Sequence, residues 1–112
     1  MNIEKLRELC LSLPGATEDI KWGADLCFLV GGKMFCATSI EPPHHVSFKV
    51  LEENFGEMIN SSEIIPAPYL ARYKWVQVKQ WNSIKDEEWE FYVKQSYELV
   101  KAKLSKQVLK NL

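Results

Sequence analysis

Apolar residues recur along the chain with two different spacings, one typical of helices and one typical of strands. The first stripe has helical spacing, with apolar residues three or four positions apart: Leu6, Leu9, Cys10 and Leu13. Asn2 stands where a helix N-cap is expected, and Pro14-Gly15 ends the pattern. The sequence therefore predicts an amphipathic helix over residues 3–13.

Two runs rich in β-forming residues, 25–30 and 33–39, are separated by Gly31-Gly32. Two glycines between such runs predict a tight two-residue hairpin. The register that this turn sets has two facing pairs: Phe28 with Phe35, and Cys27 with Cys36. Facing cysteines at this position would be close enough for a disulfide, but an odd total of three cysteines without zinc spacing favours reduced, buried thiols.

The remaining pattern completes a two-layer arrangement. In chain order it predicts a third strand at 44–50, a helix at 51–59, a short edge strand at 64–65, a fifth strand within 72–85 and a last helix from Asp86. The order α-β(3)-α-β(2)-α predicts an α+β fold, a two-layer sandwich with an antiparallel sheet and the helices on one face. At 112 residues the chain is expected to be a single domain, 1–112.

A two-layer fold leaves one face of its sheet without helices. If Phe28, Phe35 and Phe48 face the helices, that open face is predicted to hold Cys27, Leu29, Met34, Cys36, Ser47 and Lys49. An apolar patch of this kind is typical of a binding or dimer interface.

Composition narrows the class of protein. A hydrophobic fraction of 46% is enough for a folded core, and a net charge of −1 with a pI near 6.1 argues against a strongly basic nucleic-acid binder. No stretch approaches the roughly 18–20 apolar residues of a membrane span, and charged residues near the N-terminus argue against a signal peptide. We therefore expect a cytoplasmic protein without a membrane partner.

Basic and aromatic residues interleave between residues 72 and 85, inside a segment without any acidic residue. Such a run could hold a phosphate backbone and touch base faces, with contacts predicted at Arg72, Lys74, Trp75, Lys79 and Lys85. Strand alternation places Trp75 with Tyr73 and Gln77 on one side, without saying which side faces the helices. Whether the Trp75 ring is core or surface therefore stays open.

Two other classes of function compete with DNA binding. The open face could hold a small anion near Lys33, Ser47 and Lys49, or a second copy of the chain in a homodimer. Catalysis has less support, because the adjacent histidines His44 and His45 point to opposite sides of a strand and no nucleophile pair stands out. We expect a non-enzymatic protein without a metal or cofactor.

Short motifs in a fixed order span nearly the whole chain: 13–18 (LPGATE), 32–35 (GKMF), 47–49 (SFK), Pro66 with Tyr69, 74–78 (KWVQV) and 96–100 (SYELV). In this combination the chain resembles the MmcQ/YjbR family of small bacterial proteins. The resemblance implies the same element order, a DNA-binding role inferred from a fold likened to double-wing DNA binders, and no established enzymatic activity. Tyr73-Lys74 stands where some members carry a basic residue and His before the Trp, so the charge is kept and the imidazole is not.

The sequence and the resemblance together predict a non-enzymatic domain that contacts double-stranded DNA through the 72–85 run. The alternative is a ligand-binding or protein-binding module that uses the open face of the sheet.

Overall fold

The computed structural model of the chain describes residues 1–112. The helices and strands follow in the order α1 (Ile3–Ser12), β1 (Ala16–Lys21), β2 (Asp25–Val30), β3 (Lys33–Ser39), β4 (Val46–Lys49), α2 (Glu52–Met58), β5 (Ile64–Pro66), β6 (Trp75–Val78), α3 (Asp86–Lys101) and α4 (Lys106–Lys110). All strand pairs are antiparallel, and the six strands form one sheet in the order β1-β2-β3-β4-β6-β5. The predicted α+β fold class is confirmed.

The sheet has one strand more than the pattern predicted. The predicted order placed no strand between the first helix and the hairpin, yet β1 pairs along all of β2. It is an edge strand whose four central residues, 17–20, are exposed, so it has no apolar alternation that would reveal it. The fifth predicted strand is correspondingly shorter, because Ala71–Tyr73 and Trp81–Ser83 are turns of 3₁₀-helix on either side of β6.

The β2–β3 hairpin turns at Gly31 and Gly32, both with positive φ (58° and 81°), and pairs Val30 with Lys33 as predicted. One step further a β-bulge shifts the register, because Leu29 pairs with Met34 while Phe28 pairs with Cys36. Phe35 is the extra residue of this bulge.

The bulge overturns both facing pairs expected across the hairpin. Phe28 lies opposite Cys36 instead of Phe35, and Cys27 lies opposite Ala37 instead of Cys36. Phe35 and Cys36 both belong to the core cluster, so Cys36 packs on the helix side and is not part of the open face. The physical reason is the extra residue itself, which lets two consecutive side chains enter the core.

Helix α1 begins as predicted, since the side chain of Asn2 accepts a hydrogen bond from the Lys5 backbone N–H at 2.9 Å. Helix α3 packs across the middle strands β3 and β4. Its aromatic side chains meet those of the sheet edge to face, with ring centroids 6.0 Å apart for Phe48 and Trp89 and 5.4 Å apart for Phe35 and Tyr97.

One buried hydroxyl joins α3 to the sheet at the bulge. Ser96 is fully buried, accepts a hydrogen bond from the Lys49 backbone N–H at 2.9 Å, and donates its own hydrogen to the Phe35 carbonyl at 2.5 Å. Phe35 and Lys49 would be the next facing residues after Cys36 and Phe48 in the β3–β4 ladder. The Ser96 hydroxyl therefore bridges the two strands where the ladder stops.

Replacing Ser96 with alanine is expected to destabilise the protein by about 2 to 4 kcal/mol, because it leaves one buried N–H and one buried carbonyl without partners. Urea unfolding followed by circular dichroism measures the effect. Ser62→Ala is the matched control, since Ser62 is exposed and its change should cost less than about 0.5 kcal/mol. Equal stability of the two variants would show that the bridge contributes nothing.

Candidate functional site

The connection between β5 and β6 lies against the open face of the sheet and forms a groove there. Its volume is about 570 Å³. The strands supply the floor of this groove, with Met34, Ala37, Ser47 and Gln77, and two connections supply its walls, with Trp22, Tyr69 and Leu70. We call this site the aromatic groove. Trp22 follows β1 at one edge of the sheet and Tyr69 follows β5 at the other, so both edges contribute to one site.

Trp22 and Tyr69 are the two most exposed large hydrophobic residues of the protein, at 77% and 100%. Both also have a left-handed backbone, with φ of 55° and 67°. For a bulky residue other than glycine this conformation costs roughly 1 kcal/mol or more. The chain thus holds two strained aromatic residues over an open surface, where neither ring gains from burial.

A second pocket, of about 540 Å³, lies at the end of the sheet where β4, β6 and the C-terminal end of α3 meet. Three lysines border this pocket: Lys33, Lys49 and Lys103. We call it the lysine pocket. Its apolar wall includes Trp75 and Leu104. Met34 and Leu70 line both this pocket and the aromatic groove, so the two sites adjoin.

The charge of the lysine pocket is not balanced by acids. No carboxylate lies within 4.0 Å of the ammonium groups of Lys33, Lys49 or Lys103. The Lys49 ammonium donates a hydrogen bond to the Tyr73 carbonyl. Its pKa is lowered, first by burial and then by the nearby charge of Lys103. The pocket therefore holds positive charge at a cost that a bound anion would reduce.

The residues predicted to contact DNA do not form one cluster. Arg72 lies in the connection before β6, where its guanidinium stacks on the Tyr73 ring 4.7 Å from the centroid. Lys74 approaches Glu52 at 4.0 Å. Lys79 and Lys85 follow the other end of β6, so that Lys74 and Lys79 are separated by about 17 Å of extended strand.

Trp75, the aromatic residue expected to touch DNA, is only 6% exposed. Strand β6 directs it to the open face, opposite Lys49, where it forms part of the lysine pocket wall. Its ring is therefore not available to stack on a base.

The residues predicted to hold an anion are partly together. Lys33 and Lys49 share the lysine pocket, whereas Ser47 lies in the floor of the aromatic groove. The sequence pattern missed Trp22, Tyr69 and Lys103. Trp22 and Tyr69 lie in connections, where no periodic signal marks a site, although a large aromatic next to Gly23 or Pro68 in a turn was the available clue.

The groups that commonly coordinate metals are dispersed, and no three His, Cys, Asp or Glu side chains come together as a metal site. None of the helices is both long and apolar enough to cross a membrane.

All three cysteines are free and buried. Burial raises the pKa of Cys10, and a hydrogen bond with Cys36 raises it further. The pKa of Cys27 is also raised, chiefly by burial and then by the Asp25 carboxylate. Cys27 and Cys36 are already buried within a single chain. Their protection from thiol reagents therefore cannot be used to distinguish a dimer from a monomer.

The folded protein is expected to show no rapidly reacting thiol towards Ellman's reagent at pH 8, because burial blocks access to all three thiols. The raised pKa values of Cys10 and Cys27 also keep the thiolate fractions of these two cysteines low. In urea the same measurement should give three thiols per chain. One fast thiol under native conditions would contradict the burial of that cysteine.

Comparisons with known proteins found a family model and several solved structures that are similar to this chain. The YjbR family model matches residues 11–99. A crystal structure of the Deinococcus radiodurans protein DR2400, described as a DUF419 domain, is similar with a TM-score of 0.87 and 28% identity, covering 98% of this chain and 86% of that chain. A Pseudomonas syringae protein, structural genomics target PsR293, has the same fold, with a TM-score of 0.72 and 17% identity over 88% of this chain and 98% of that chain. None of the proteins with a curated description matches this chain.

Proposed function

The chain belongs to the YjbR family, and we propose that it is a non-catalytic binding module whose ligand site is the aromatic groove on the open face of the sheet. The observation that carries this proposal is the pair Trp22 and Tyr69, two exposed aromatic rings on strained backbone that border one groove. Residues with a strained backbone are often found at binding sites, where the surrounding structure enforces a conformation that favours ligand binding at the expense of stability.

The lining of the groove points to a planar, largely apolar ligand group. Trp22, Tyr69 and Met34 offer π faces and a polarisable sulfur, which pack well against an aromatic ring. Ser47 and Gln77 add uncharged hydrogen-bonding groups on the floor that could orient such a ring. The volume of about 570 Å³ lies in the range usual for small-molecule sites.

The same geometry weighs against a homodimer made by stacking two open faces. The β5–β6 connection lies on this face, with Tyr69 wholly exposed on it. Two flat sheets could not approach to the roughly 10 Å of ordinary sheet packing with that connection between them. A ligand between the two walls fits the shape better than a second sheet does.

Titration with indole and with adenosine, both uncharged aromatic probes, is expected to shift the backbone amide resonances of Ala37, Ser47 and Gln77. Trp22→Ala and Tyr69→Ala should each weaken binding between about fivefold and a hundredfold, the usual effect of removing one base-stacking ring. Two-dimensional NMR on ¹⁵N-labelled protein measures both effects.

Phe91→Ala is the matched control, because Phe91 is 58% exposed on α3 and lies outside the groove. It should leave binding unchanged. The proposal fails if neither probe shifts the groove residues, or if the Trp22 and Tyr69 variants bind the probes as well as the Phe91 variant does.

Binding to double-stranded DNA is the second candidate function. It is favoured by three of the predicted contacts, Arg72, Lys79 and Lys85, which are exposed and have no carboxylate within 4.0 Å. Cations without acidic partners can release counterions from a phosphate backbone. The proposal then requires a duplex long enough to reach both ends of β6.

If these residues contact phosphates, the triple variant Arg72→Ala, Lys79→Ala and Lys85→Ala should bind a labelled duplex more weakly. The slope of log affinity against log salt should also become shallower by about 0.9 for each phosphate that is no longer neutralised. Fluorescence anisotropy at several salt concentrations measures this, with the exposed Lys5→Ala on α1 as control. An unchanged slope would exclude these residues as the contact surface.

A further inference from the structure

We propose that the lysine pocket binds the phosphate group of a nucleotide whose base lies in the aromatic groove. This inference rests on the proposed function of the groove and adds the chemical class of its ligand. The ligand can be a free nucleotide or one unit of a single-stranded nucleic acid, since both present the same base and phosphate.

The lysine pocket has the features of an anion site. Lys33, Lys49 and Lys103 approach it from a hairpin turn, a strand end and the segment after α3, and none of them has a carboxylate partner. Three ammonium groups that border one concave pocket attract an anion more strongly than a single surface lysine does, because their fields add in the pocket. A phosphate offers several oxygens and can accept from all three.

Lys49 is the most constrained of the three lysines. Its backbone N–H is held by Ser96 and its ammonium by the Tyr73 carbonyl, so the side chain is ordered before any ligand arrives. An ammonium has three N–H donors, and only one of them is used by Tyr73. The other two can bind an anion while the hydrogen bond to Tyr73 stays in place. Pre-ordering of this kind lowers the entropy cost of binding.

The position of the two sites fixes the kind of ligand. Because Met34 and Leu70 line both sites, a ligand that fills them must carry a planar group and an anionic group a short distance apart in one molecule, as a nucleotide does on either side of its ribose. Asp25 lines the groove at the opposite end of β2 from the hairpin, about 17 Å along the strand from Val30. Its carboxylate repels a phosphate and can accept an N–H, so the phosphate is directed towards the lysines.

The test compares adenosine, adenosine 5′-monophosphate, inorganic phosphate and an eight-residue single-stranded oligoadenylate, by calorimetry and NMR at low salt. The monophosphate is expected to bind at least about tenfold more tightly than adenosine, because charge-assisted hydrogen bonds to phosphate are strong. Lys33→Ala and Lys103→Ala should each remove about tenfold of that gain and leave adenosine binding unchanged. Both residues are exposed, so neither change threatens the fold.

Lys5→Ala is the matched control, an exposed lysine on α1 that lines neither site, and this variant should bind the monophosphate as the unchanged protein does. Equal affinity for adenosine and its monophosphate would overturn the inference while the aromatic groove stands. Monophosphate binding that depends on the lysines but not on Trp22 or Tyr69 would overturn the link to the groove.

No binding of any probe would overturn both proposals. Where the monophosphate binds, a tighter complex with the oligonucleotide and a steeper salt dependence identify a single strand as the source, and equal affinity identifies a free nucleotide.

Discussion

The Ser96 hydroxyl lies between β3 and β4, and much of the structure depends on the two hydrogen bonds that it makes there. The bulge in β3 lets two consecutive side chains, those of Phe35 and Cys36, pack in the hydrophobic core. A bulge also interrupts the ladder, and a buried N–H or carbonyl without a partner costs more than one hydrogen bond contributes. Ser96 supplies both missing partners from α3, and its small side chain lets the helix lie close to the sheet.

That same contact determines what stands on the other face of the sheet. Consecutive residues of a strand point to opposite sides. Because the side chains of Phe48 and Val50 are buried in the core, the side chain of Lys49 between them points to the open face. There its ammonium holds the Tyr73 carbonyl and with it the β5–β6 connection. The core and the candidate site are therefore coupled through one residue, although none of the clustered core side chains lines the aromatic groove.

Residues with regular periodicity could be predicted from the sequence, and residues in irregular backbone could not. The stripe of α1 and the direction of Met34 and Lys49 follow from helical or alternating spacing, and the Gly31-Gly32 turn follows from two glycines between two β-rich runs. The bulge at Phe35 breaks that alternation without a local signal, which is why the cysteine register and the place of Cys36 were wrong. Edge strand β1 was not predicted for another reason: its side chains are nearly all polar or exposed, so they form no apolar pattern.

The candidate site was the least predictable part, because it is assembled by topology. Trp22 and Tyr69 lie far apart along the chain, and they border one groove only because β1 and β5 lie at opposite edges of the same sheet. Lys103 joins Lys33 and Lys49 because α3 ends beside the hairpin turn: a β-carbon on Gly31 would lie 2.6 Å from the Leu104 side chain. A net charge of −1 therefore says little about this protein's affinity for anions. Three lysines brought together from distant segments, with no carboxylate within 4.0 Å of their ammonium groups, create a local positive field that the net charge of the whole chain does not reveal.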